Sequence, residues 1–145
     1  MPLRAAAELL HFSEDPSIRH FAPHVAATAQ VPQPLVWAVD AEQAPAYWFP
    51  RACPRAMAWV RTGTTADDRE RVLGPGGGTR VHAIEYGWVE ALRSTQLYAY
   101  RLPAVTFQPV GEPEPHAWTS DQPVRPLAPP DHVSNLLDLH EKAGI

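Results

Sequence analysis

The sequence holds one cysteine, Cys53, in 145 residues, so an internal disulfide cannot form. Small secreted domains usually carry several, and that class is set aside. No apolar stretch approaches the roughly 20 residues that a membrane-spanning helix needs. The opening run Met1-Pro2-Leu3-Arg4-Ala5-Ala6-Ala7-Glu8 is too short in apolar residues for a signal peptide. The chain is therefore expected to be cytoplasmic and free of the membrane. Charge is sparse as well. Charged residues make up 19% and the formal net charge is −4, whereas a general nucleic-acid binder usually shows a basic excess. One stretch departs from this balance. Arg51, Arg55, Arg61, Arg69, Arg71 and Arg80 stand against Asp67, Asp68 and Glu70, as either a solvated face with surface ion pairs or a patch for a phosphate-bearing ligand.

What the sequence does contain is apolar matter and proline. Hydrophobic residues reach 45%, with five Trp, four Tyr and four Phe, enough to fill the core of one domain spanning residues 1–145. Of the 17 prolines, Pro109, Pro113, Pro115, Pro123, Pro126, Pro129 and Pro130 crowd one segment. Proline interrupts helices and central strands, so long helices are excluded over most of the chain. The expected class is α+β: a split or bent β-sheet sandwich with short peripheral helices.

Periodicity and turn residues divide the chain further. Strands are expected at Glu8–Phe12, Leu35–Val39, Met57–Arg61, Thr79–Glu85, Gln96–Leu102, Val105–Val110 and Ala117–Thr119. One helical turn is expected from Pro16 to Phe21, and residues 22–34 read as a loop. A helix capped by Asp40 runs from Ala41 to Phe49, tight or broken at Pro45. Thr64 or Thr65 caps a helix that ends at Gly74, and Tyr86–Arg93 forms another. The last helix is expected from Asp131, its cap, to Ala143, with Val133, Leu136, Leu137 and His140 on its docking face.

Several familiar chemistries lack their residues. The run Gly74-Pro75-Gly76-Gly77-Gly78 has no Gly-Lys-Ser/Thr ending and lies between a helix and a strand, the wrong order for a phosphate loop; it reads as a connector. His20 and His24 are separated by Pro23 and cannot share a helix face, and no cysteine pair exists, so no metal site is expected. There is no Gly-x-Ser-x-Gly elbow. Cys53 reads as a buried thiol.

Three fragments in order carry a more specific signal. They are Leu9-Leu10-His11-Phe12-Ser13; Val36-Trp37-Ala38-Val39-Asp40 followed by Ala44 and Ala46-Tyr47; and Tyr98-Ala99-Tyr100 followed by Ala117-Trp118-Thr119-Ser120. His11 to Asp15, Trp37 to Asp40 and Phe49 to Arg51 resemble a family of uncharacterised bacterial proteins that begin Leu-x-His-x-Ser-Glu-Asp. More distantly, the fragments resemble the ADP-ribosyltransferase-like superfamily. That resemblance implies a site for NAD or a related ADP-ribose nucleotide. His11 and Ser13 would hold the ribose and carboxamide end, Trp37 and Tyr47 would wall the nicotinamide, and Arg51 would meet the pyrophosphate. Candidate catalytic residues are His11, Glu85 and His116. The chain departs from the superfamily pattern at three points. Phe12 replaces a glycine, Trp37 replaces a tyrosine, and the late glutamate falls on His116 or Ala117. Without that carboxylate the means of stabilising charge at the ribose is missing. The resemblance therefore implies nucleotide binding, with ADP-ribosyl transfer or NAD hydrolysis as its catalytic extension. From the residues alone, His11, Trp37 and Tyr47 also read as core groups. A non-catalytic interaction domain using the proline-rich segment 109–130 is the alternative.

Overall fold

A computed structural model describes residues 8–25, 32–75, 78–112 and 114–145. The expected loop at 22–34, the glycine run 74–78 and Pro113 lie partly or wholly outside these. The chain is mixed α+β, with small antiparallel sheets and few helices, and it divides into two compact units. The first comprises the described part of Met1–Tyr47 together with Leu97–Val133. The second comprises Trp48–Gln96, as far as described, and Ser134–Ile145.

In the first unit, β1 (Glu8–Ser13), β5 (Leu97–Pro103) and β8 (Asp131–Val133) form one sheet in the order β1-β5-β8. A second sheet has the order β2-β7-β6, from Val36–Ala38, Ala117–Ser120 and Gln108–Val110. The two meet where Leu10 and Val39 exchange backbone hydrogen bonds of 2.7 and 2.9 Å. Alternation along the strands sends Leu9, Val36, Ala38, Tyr100 and Leu102 into one core with Phe21, Phe107 and Val124, while Tyr98 and Trp118 pack against it. Asp40 ends β2 as a cap. Its Oδ1 accepts from the Gln43 N–H at 2.9 Å and its Oδ2 from the Trp118 indole N–H at 3.2 Å. The helix expected from Ala41 tightens into a 3-10 turn at Ala44–Tyr47, because Pro45 cannot donate to an α-helical ladder.

The second unit carries the hairpin of β3 (Ala56–Trp59) and β4 (Arg80–Ala83), and helices α1 (Ala66–Leu73), α2 (Val89–Ser94) and α3 (Leu136–Lys142). Helix α1 starts as the sequence predicts. The Thr65 hydroxyl accepts from the Asp68 N–H, Asp67 and Asp68 sit in the first turn, and Gly74 ends it at a φ of 84°. Helices α2 and α3 pack together, burying Leu92 and Leu136.

Two expected helices are corrected. Pro16–Ser17 is a turn, and Phe21 instead pairs in a β-bridge with Val124. The last helix does not begin at Asp131. Asp131–Val133 is β8, paired with Leu97–Ala99, and Asn135 caps α3 from the left-handed region at a φ of 51°. Val133 is thus a strand residue; the helical spacing that links it to Leu136 is incidental.

Candidate functional site

The first unit brings His11 and Trp37 together. Trp37 lies on β2, next to β1, and His11 Nδ1 sits 2.8 Å from the Trp37 carbonyl oxygen. A carbonyl only accepts, so Nδ1 carries the proton, and Nε2 is the acceptor of the neutral ring. The imidazole leans on Phe21, centroids 4.7 Å apart, and Phe21 meets Tyr100 edge-on at 5.3 Å. His11, Ser13 and Trp37 are half-buried, whereas Tyr47, on the 3-10 turn, is exposed.

The loop after β1 is held from both ends. The Ser13 hydroxyl accepts from the Asp15 N–H at 3.0 Å, and Asp15 Oδ1 accepts from the Ser17 N–H and hydroxyl at 2.8 and 2.6 Å. Those bonds favour the ionised carboxylate and hold the Asp15 pKa below its ordinary value. From the core, the Tyr100 hydroxyl donates to the Asp15 carbonyl at 2.5 Å and accepts from the Ile18 N–H at 3.0 Å.

The remaining candidates are distributed differently. Arg51 and Glu85 are exposed residues of the second unit. His116 belongs to the first unit, exposed on the β6–β7 connection, where its N–H bonds the Val110 carbonyl. Its ring covers Gly111: a Cβ on that glycine would overlap His116 Nδ1, and the φ of 112° already disfavours any side chain. Gly111→Ala is expected to cost about 1–3 kcal/mol in urea unfolding. Adding His116→Ala should return only part of that loss, since it removes the overlap and leaves the backbone strain. Ala117, one of the two positions at which the resemblance would expect a glutamate, is buried on β7. It shares a sheet face with Thr119, the register partner of Trp37.

The proline-rich segment is tied into the first unit. Val124 bonds Phe21 in both directions, the Leu127 N–H donates to the Arg101 carbonyl, and Asp131–Val133 pairs with β5. Leu127 itself is 51% exposed.

The sequence reading overlooked His82. It stands on β4, 58 residues from His140 on α3, yet its Nδ1 lies 2.8 Å from His140 Nε2. Phe49 packs on both rings, at 5.2 and 5.1 Å, and Trp48 meets His140 edge-on at 5.7 Å. In the sequence, only the spacing of His140 one turn after Leu136, on an apolar helix face, hinted at a partner. Among the described residues no three His, Cys, Asp or Glu side chains cluster as metal ligands would. Cys53 is buried, and burial raises its pKa above the ordinary thiol value, which disfavours the nucleophilic thiolate.

The architecture and the His11–Trp37 junction define a mixed α+β protein of small antiparallel sheets. A family model described as a family of unknown function (DUF6886) matches residues 10–145, and the chain belongs to that family. This agrees with the resemblance to an uncharacterised family. No curated protein and no solved structure matches the chain. Among the described residues no helix is long and apolar enough to cross a membrane.

Proposed function

We infer that the chain binds NAD or a related ADP-ribose nucleotide, in the manner of the ADP-ribosyltransferase-like superfamily, at the β1–β2 junction of the first unit. The observation that carries this reading is the hydrogen bond from His11 Nδ1 to the Trp37 carbonyl. It joins two of the three fragments on which the resemblance rests and fixes the tautomer of the imidazole. The donor set suits holding the nucleotide. His11 and Ser13 are polar groups at a half-buried strand end, and Trp37 and the exposed Tyr47 offer flat surfaces. Bound there, the nucleotide would supply an electrophilic ribose carbon. The residues do not suit transfer, because His116 or Ala117 stands where the superfamily carries its carboxylate. Losing one such transition-state contact commonly costs about 10²–10³-fold in rate.

Ligand-dependent melting tests it. NAD or ADP-ribose at about a hundredfold excess over Kd should stabilise the fold by about 2.7 kcal/mol, or about 2–4 °C in Tm per kcal/mol for a chain near this size. His11→Ala should abolish the shift, and NAD turnover should stay near background. No shift at millimolar concentrations of either ligand would reject nucleotide binding. Rapid cleavage of NAD would reject the non-catalytic form. The second reading, an interaction surface along residues 109–130, draws on the exposure of Leu127. It predicts no nucleotide shift at all.

A further inference from the structure

Two imidazoles of the second unit meet nitrogen to nitrogen, and their hydrogen bonds fix where each proton sits. His140 Nδ1 is 2.7 Å from the Leu136 carbonyl oxygen, so Nδ1 bears a proton and Nε2 of the neutral ring does not. That Nε2 must accept from His82 Nδ1, 2.8 Å away. His82 Nε2 keeps a lone pair and accepts from an Arg80 guanidinium N–H at 3.2 Å. The bonds run one way, from Arg80 through both rings to the helix backbone, and the whole series exists only while both rings are neutral.

Four ring nitrogens share two protons. If a third is added and the ring–ring and helix bonds are kept, it falls on His82 Nε2. There a donor faces a donor and a cation faces the Arg80 guanidinium, so Arg80 has to leave. A fourth proton sets N–H against N–H between the rings and forces His140 away from His82. Two cations stand near the rings. Arg80 comes from β4, its guanidinium 4.6 Å over the Trp59 ring, and Arg55, from the segment before β3, stacks 4.5 Å over Phe49. Elsewhere on the helices, Lys142 pairs with Asp138 on α3 and Arg93 with Glu90 on α2, both at the surface. Burial first, then the neighbouring ring and the Arg80 and Arg55 cations, push His82 down to about 4; burial and Arg80 push His140 down as well.

We propose that Arg80, His82 and His140 form an acid-sensitive latch that fastens α3 to β4, with one proton expelling Arg80 and a second releasing the helix. The sign follows from proton uptake. An unfolded imidazole titrates near about 6.5, whereas the latched rings resist protonation until lower pH. The latch therefore holds above about pH 6.5 and weakens as pH falls toward about 4.

Imidazole NMR and amide hydrogen exchange on the full chain, the latter corrected for intrinsic pH dependence, test this. At neutral pH both rings should carry their proton on Nδ1. Between about pH 7 and pH 4.5 the protection of α3 amides should fall about tenfold or more relative to amides of β1 and β5. Arg80→Met, which removes one repelling cation, should move the His82 titration upward. The double variant His82→Gln, His140→Gln should lose the acid response; if it fails to fold, the wild-type titration and Arg80→Met still decide. A proton on His82 Nε2 at neutral pH, or α3 protection that stays flat through the acid range, would overturn the latch.

Discussion

Tyr100→Ala should lower the stability of the first unit by about 3–5 kcal/mol, and Tyr100→Phe by about 1–3 kcal/mol. Tyr100 has no exposed surface and sits mid-strand on β5, opposite His11. Its ring meets Phe21, and its hydroxyl is the core's grip on the loop after β1. Alanine removes both the aromatic packing and the hydroxyl. Phenylalanine keeps the ring and strips the Asp15 carbonyl and the Ile18 N–H of a partner. The two substitutions thus separate packing from polar pinning. Urea unfolding should rank Ala well below Phe. For Phe, hydrogen exchange should locate the loss at the Ile18 amide, which loses its acceptor. A Phe variant as stable as the wild type would show that water replaces the hydroxyl without cost.

Leu136→Ala is the second large effect, at about 2–5 kcal/mol. Leu136 is completely buried in the first turn of α3, the helix that packs on α2. Its carbonyl also accepts the hydrogen bond from His140 Nδ1, so loosening this turn disturbs the ring beyond it. The loss should appear in urea unfolding of the second unit. It should be accompanied by a rise of the His82 pKa from about 4 toward the free value, as water reaches the pair. A cost below about 1 kcal/mol, outside the usual range for a buried leucine, would mean that α3 is peripheral.

The strands were legible where the alternation was strong. Tyr98, Tyr100 and Leu102 announced β5, the apolar run at Val36 announced β2, and Thr65 with Asp67 and Asp68 announced the start of α1. Strand β8 was not, because Asp131-His132-Val133 is short and polar and becomes a strand only by pairing with β5. The cap at Asn135 was hidden for a related reason. Its left-handed backbone lies in the two-residue link between β8 and α3, and a helical spacing from Val133 to His140 masked it. For the candidate site, the sequence singled out His11 and Trp37, and only the neighbouring positions of β1 and β2 join them. His82 and His140 lie on a strand and a helix far apart in sequence, and no local pattern links such a pair.

The chain visits its two units in alternation: the first unit to Tyr47, the second to Gln96, the first again to Val133, and the second last. Strand β1 must wait for β5, and β5 for β8, while α2 must wait for α3. A ribosome that has released residue 96 has therefore finished neither unit. Synthesis normally favours domains that close in order from the amino end; here both must stay open until nearly all of this sequence has emerged. Loops of this length make closure slow. Until β5 emerges, β1 lacks its sheet partner and Leu9 lacks the core that buries it.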